Sequence, residues 1–268
     1  MSSLVIKHGE VIPQDTRSLI SSRYHTITKA INREFWNSIS ETAHSLYVGS
    51  YGRGTAIDTS DIDILLEIPK SEYQRYDVIK GNGQSRLLQA VRSAILTSYP
   101  RTDIRADGQV VKVQFSDGMK MELLPAFPKQ YSWESNEYTY PDSNNGGKWM
   151  STNPKAEQEA MKKKNASSNG LLFDTCKHIR YIRDNYFSSY HLSGIVIDSF
   201  VYQAIQSWRW TPPGESSSSV SGTYEQVLLD YYNNNLRYNY SLQTPGSGQT
   251  ISITNSKECL GKVLNYMV

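Results

Sequence analysis

The apolar residues Ile20, Tyr24, Ile27, Ile31 and Phe35 recur at steps of three and four. That spacing predicts a long helix over residues 15–39, with Asp15 as its cap. A short apolar run at 45–48 leads into a glycine-rich turn, Gly49-Ser50-Tyr51-Gly52-Arg53-Gly54. Residues 61–68 largely alternate polar and apolar, which predicts a strand with one buried face, and Pro69 ends it. Residues 87–96 read as a second helix. Residues 110–115 and 119–124 read as a hairpin around Ser116-Asp117-Gly118. A two-residue loop would mix the faces. A three-residue loop with Gly118 left-handed pairs Phe115 with Met119, Val113 with Met121 and Val111 with Leu123. All six apolar residues then share one face, and Glu122 lies opposite Lys112.

Residues 131–149, with Pro141, Asp142, Gly146 and Gly147, read as an irregular connection. Beyond them the pattern turns helical. Asn153 can cap and Pro154 can open a helix, and 171–185, 193–208 and 224–233 carry further helical spacing. Residues 211–222 and 244–248 read as loops. The whole is an α+β chain: a sheet lobe over 1–150, then a helical lobe over 151–268, with a cleft between.

Charge and cysteine content narrow the functional classes. The 28 basic and 26 acidic residues nearly balance, which argues against double-stranded nucleic acid as a main ligand. Cys176 and Cys259 have no zinc or redox spacing and read as reduced thiols. The first seventeen residues carry no signal-peptide pattern and no segment is apolar enough to span a membrane, so a cytoplasmic protein is the expectation. His8, His25, His44, His178 and His191 show no ligand spacing.

The chemistry lies in three acids. Asp61 and Asp63 are two apart on a strand and so share a face, with Ile62, Ile64, Leu66 and Ile68 on the other. Adjacent carboxylates repel, and a cation relieves that repulsion. Mg2+ prefers oxygen donors from one or two carboxylates plus substrate phosphates. Glu122 on a neighbouring strand would complete a two-metal site. Upstream, the Gly49-Ser50 turn can offer backbone N–H groups and a hydroxyl to phosphate oxygens, without the lysine of a P-loop or the GxGxxG of a dinucleotide fold.

GSYGRGTAI followed by SDIDILL resembles the signature of polymerase-β-type nucleotidyltransferases, and its wording is similar to that of the cGAS/DncV-like enzymes, the CD-NTases. MELLPAF resembles their third-acid strand, with Glu122 where the family often has Asp. WMSTNPKAEQEAMKKKN, LLFDTCKHIRYIRDNY and HLSGIVIDSFVYQAI resemble the entry and first helices of their helical lobe, and residues 15–39 their spine helix. The resemblance implies that Gly49 and Ser50 bind the β- and γ-phosphates of a nucleoside triphosphate, that Asp61, Asp63 and Glu122 hold two Mg2+ ions (Mn2+ can substitute), and that Ser193 contacts triphosphate or ribose. It further implies a basic contact to the triphosphate, Lys177 or, one turn on, Arg180.

By the same resemblance the chain would build a cyclic di- or oligonucleotide from ATP, GTP, UTP or CTP. The product would signal to a separate effector in bacterial anti-phage (CBASS-type) defence, with no double-stranded nucleic acid as activator and no membrane. Transfer of a nucleotide to tRNA or protein, or an inactive nucleotide-binding module, are the alternatives. Three mutually repelling acids speak against the inactive module.

Overall fold

The computed structural model describes residues 4–129, 137–218 and 222–268. The chain forms two compact units. One is built from Ile12–Gly52 and Thr59–Pro154. The other gathers the N-terminal segment up to Val11, the short stretch Arg53–Asp58 and Lys155–Val268.

In the first unit, α1 (Gln14–Trp36) follows Pro13, so Asp15 falls in the first turn rather than at the cap. The helix stops three residues before the sequence pattern does. Asn37 turns left-handed (φ 47°) and Ser38 N–H reaches back to Asn32 O, closing the end. Then come β1 (Ser45–Tyr47), the single turn α2 (Gly49–Gly52), β2 (Ile62–Glu67), α3 (Lys70–Asp77), α4 (Gly83–Leu96), β3 (Asp103–Asp107), β4 (Val110–Gln114), β5 (Lys120–Pro128), β6 (Tyr138–Asp142) and β7 (Lys148–Thr152). The sheet runs β1-β2-β5-β4-β3, and β6 joins β5 to β7. Among the described residues only β2 and β5 pair in parallel.

The β4–β5 hairpin has the register derived from sequence. Val111 faces Leu123, Lys112 faces Glu122 and Val113 faces Met121. Phe115 N–H bonds Met119 O, and Gly118 is left-handed at φ 92°. One sheet face, carrying Ile62, Ile64, Val111, Val113, Met121 and Leu123, packs on Ile20, Ile27 and Ile31 of α1 and on Leu87, Leu88 and Val91 of α4. Each such burial contributes roughly 1.5–3 kcal/mol.

The described part of the expected irregular connection, 137–149, is instead largely a strand pair; 131–136 lie outside the described residues. Pro141, Asp142 and the glycines read as breakers, yet Tyr138, Thr139, Tyr140, Pro141 and Asp142 pair with β7. Asn145, Gly146 and Gly147, all at positive φ, belong to the turn that joins the two strands. Sequence periodicity also passed over α3 and β3.

The second unit contains α5 (Pro154–Ser167), which opens on Pro154 as expected, α6 (Leu171–Tyr186), α7 (Gly194–Ala204), α8 (Tyr224–Tyr231) running on as a π-turn to Leu236, a small hairpin of β8 (Ser241–Gln243) and β9 (Thr250–Ser252), and α9 (Lys257–Met267). Leu172 and Ile179 of α6, Val196, Phe200 and Val201 of α7, Leu228 of α8, and Leu260 and Leu264 of α9 form its core. Cys176 and Cys259 are buried free thiols. Among the described residues no helix is long and apolar enough to cross a membrane.

That core encloses charge. Asp198 is fully buried on α7. Its Oδ1 accepts from Arg180 Nη1 at 2.7 Å, and its Oδ2 from Arg53 Nε at 2.8 Å and Thr55 Oγ1 at 3.0 Å. Arg53 also donates to Glu157 Oε2 of α5. Burial pushes the Asp198 carboxyl up, but Arg180 and Arg53 outweigh it and hold it at about 2. A carboxyl held this low contributes stability above the usual carboxylate range and loses it as pH falls from about 4 toward 2. Asp198→Asn is expected to cost about 3–5 kcal/mol near neutrality, because it leaves buried guanidinium charge uncompensated. Urea unfolding of both proteins at pH 7, 4 and 3 checks this, with the gap narrowing at the acid end.

Candidate active site

The acids of the first unit are set by strand register. Asp63 of β2 pairs with Glu122 of β5, Glu122 pairs with Lys112 of β4, and Lys112 pairs with Arg105 of β3. Register partners point to the same side of a sheet. Two acids and two bases therefore form one charged row on the face opposite the α1–α4 core. Asp61, exposed just before β2 begins, is two residues from Asp63 and follows the same side. The face is not wholly polar. Leu65, two residues beyond Asp63, is buried with Val48, Ala126 and Tyr138, so β2 is covered on both sides at its far end.

The glycine-rich turn is held against this row. Tyr47 pairs with Ile64, and Val48 N–H donates to Asp63 O at 2.8 Å, carrying the β1–β2 ladder to the edge of the turn. Gly52 N–H then bonds Val48 O and closes α2. Gly49 lies at φ 58°, and a Cβ added there would fall 1.7 Å from Asp63 Oδ2 and 2.8 Å from Asp63 Cβ. Only glycine permits both the conformation and the approach. Gly49 is thus brought directly against Asp63, with Ser50 next in the turn.

Glu122 is half-buried. Burial raises its carboxyl pKa, Lys112 opposes the rise, and the charge of Asp61 adds to it. Lys112 Nζ stands 3.7 Å from Glu122 Oε1 and 2.6 Å from Asp107 Oδ2. Among the described residues no three His, Cys, Asp or Glu side chains stand close enough together to hold an ion. The donor set suits a hard divalent cation in kind, being carboxylate oxygen throughout, and Asp63 lies against Gly49, where a Cβ would collide with its carboxylate. Asp63 and Glu122 are direct cross-strand neighbours.

The remaining sequence candidates lie in the second unit. Ser193 is the N-cap residue of α7 and makes no side-chain cap bond; its N–H donates to Ser256 Oγ. Lys177 of α6 is half-buried, and its Nζ donates to Gly9 O at 2.6 Å. Arg180 is 1% exposed. Besides Asp198, its guanidinium serves Cys176 O and Gly194 O, so this side chain is a core element rather than a surface cation. His178 is buried with its Nδ1 3.0 Å from His8 Nε2, a packing role for this helix residue. Arg53 was hidden within the glycine-rich motif, where its neighbours suggested a phosphate turn. The signal that could have revealed it is Asp198, a lone charge inside the apolar run GIVIDSFV.

Residues 8–165 match the family model of the Second Messenger Oligonucleotide or Dinucleotide Synthetase (SMODS) domain. The chain is 22% identical over 237 residues to a probable cyclic nucleotide synthase of Bacillus cereus, a match that covers 79% of this chain and 69% of that one. The fold is similar to the CdnE cyclic dinucleotide synthase of Elizabethkingia meningoseptica, solved with GTP and Apcpp (TM-score 0.63, 14% identity, 98% and 94% of the two chains covered). It is also similar to the DncV cyclic AMP-GMP synthase of Vibrio cholerae (TM-score 0.62, 10% identity, 98% and 85% covered).

Two left-handed glycines separate strain from crowding. Gly118→Ala meets open space and carries only the cost of its φ of 92°, about 1–2 kcal/mol. Gly49→Ala adds a collision with Asp63 and is expected to cost more, about 2–4 kcal/mol in all. Parallel urea titrations compare the two.

Proposed function

The chain belongs to the Second Messenger Oligonucleotide or Dinucleotide Synthetase family, and from that premise we propose that it joins nucleoside triphosphates into a cyclic di- or oligonucleotide with release of pyrophosphate. The observation that supports this best is the adjacency of Asp63, Glu122 and Gly49. The Asp63 carboxylate fills the space a Gly49 Cβ would take, so the glycine-rich turn lies directly against the acid pair.

In this reading Gly49 and Ser50 bind the β- and γ-phosphates, and Asp61, Asp63 and Glu122 are the ligands of two Mg2+ ions, with Mn2+ as a substitute. Bound divalent cations neutralise triphosphate charge and acidify the attacking hydroxyl. A ribose hydroxyl oxygen of one nucleotide forms a bond to the α-phosphorus of another, and the bond from that phosphorus to the bridging oxygen of pyrophosphate breaks in line. Glu122 is assigned to the hydroxyl side, where it favours loss of the proton to solvent. Gly49 and Ser50 hold the leaving pyrophosphate. A second transfer of the same kind closes the ring. Positioning and electrostatics carry the rate, without a covalent enzyme intermediate.

Lys177 is assigned to the triphosphate and Ser193 to the triphosphate or ribose. Arg180 is left out of this set because its guanidinium is committed to Asp198. ATP, GTP, UTP and CTP are the candidate substrates. A second messenger needs a receiver, so a separate effector protein is part of the proposal, in bacterial anti-phage (CBASS-type) signalling in the cytoplasm.

The decisive assay incubates the protein with all four triphosphates and Mg2+ or Mn2+, treats with phosphatase, and identifies products by mass spectrometry. A phosphatase-resistant cyclic product is expected, reduced at least about 10³-fold in Asp61→Asn/Asp63→Asn protein, the scale of a lost catalytic metal site. Absence of product with every metal, followed by labelling of an added tRNA or protein, would replace this reading by macromolecular transfer. Lys177→Ala is expected to raise KM for triphosphate by about tenfold, roughly one charge-assisted contact. Arg180→Met should instead show itself as lost stability in a melting curve.

A further inference from the structure

The charged row contains a cation of the protein's own. Lys112 faces Glu122 across the β4–β5 ladder, with its Nζ 3.7 Å from Glu122 Oε1. The same ammonium holds Asp107 Oδ2 at 2.6 Å, and the charge of Asp61 also acts on it. Arg105, next along the row, is turned to Asp103 at 2.8 Å, so it is Lys112 that serves the acids. We propose that Lys112 is the resident counter-ion of the acid row, so that a divalent cation entering at Asp63 and Glu122 must compete with it. This rests on the metal-site reading given above.

The argument is electrostatic. Asp63, Glu122 and Asp61 lie on one face, and Lys112 is the cation that the ladder sets beside Glu122 and whose ammonium feels the charge of Asp61. As a half-exposed surface pair, Lys112 and Glu122 contribute little to folding. The ammonium acts instead on what binds beside it. A doubly charged ion held by Glu122 lies within a few ångströms of a like charge, which weakens its binding. Removing that charge at a partly solvated site raises affinity on the order of five- to tenfold. The gain shrinks as added salt screens the pair. Asp107 moderates the effect, because its shorter ion pair gives Lys112 a second partner to keep when a cation arrives.

The test is Mn2+ binding to the full chain without nucleotide, followed by the EPR signal of free Mn2+. Lys112→Met should bind Mn2+ on the order of five- to tenfold more tightly than the unaltered protein, less so at high salt, with an unchanged far-UV spectrum. Lys112→Arg, which keeps the charge, should leave the affinity unchanged. Unaltered or weaker Mn2+ binding by Lys112→Met, with binding still lost in Asp61→Asn/Asp63→Asn protein, overturns the counter-ion role alone. Equal Mn2+ binding, or none, by the unaltered protein and the double variant overturns the metal-site reading itself.

Discussion

Carboxylates that share one face of a sheet repel one another, and the first unit is arranged around that repulsion. Asp61 and Asp63 follow the same side of β2, and the parallel β2–β5 pairing sets Glu122 beside Asp63. Burial adds to the strain by disfavouring the ionised form of Glu122. A fold that only had to be stable would place apolar or uncharged groups there. This one surrounds the acids with rigid support. Their strands are backed by the isoleucines, valines and leucines that pack on α1 and α4. The cost of the charge is borne by a large core on the other face.

The second unit solves a related problem in the opposite way. Asp198 is also a carboxylate removed from water, but two guanidinium groups and a threonine hydroxyl reach it, and its carboxyl is held low. Its lone pairs are used and its charge is compensated. Such a group is structural, whereas Glu122 of the sheet is only half-buried and has a looser cation, Lys112, 3.7 Å from its Oε1. The contrast separates a fully buried, fully compensated charge from acids that stay partly exposed. One strand of connection carries both features: GSYGRGTAI contributes Gly49, pressed on Asp63, and Arg53, bound to Asp198.

Much of the fold and of the site was legible in the chain. The 3.6-residue spacing of Ile20 to Phe35 showed α1, and the alternation at 61–68 showed which side of β2 carries the acids. The rule that six apolar hairpin residues must share a face was enough to derive the β4–β5 register, including the Lys112–Glu122 pair. The turn signals within 137–149 misled, because glycine and asparagine between two paired strands read like those of an unpaired connection. The end of α1 misled too, since a left-handed Asn37 leaves no trace in hydrophobic periodicity.

Local pattern thus specified many of the elements and singled out the acids as candidates, because side-chain period and turn chemistry act over a few residues. What tertiary structure alone decided was the company those residues keep. Nothing near Asp63 in the chain says that Glu122 becomes its cross-strand partner, and nothing near Arg180 says that it shares Asp198 with Arg53. Both outcomes depend on strands and helices far apart in sequence. Whether a charged side chain is a ligand-binding group or a buried strut follows from its exposure and its partners, which arise only when those elements pack.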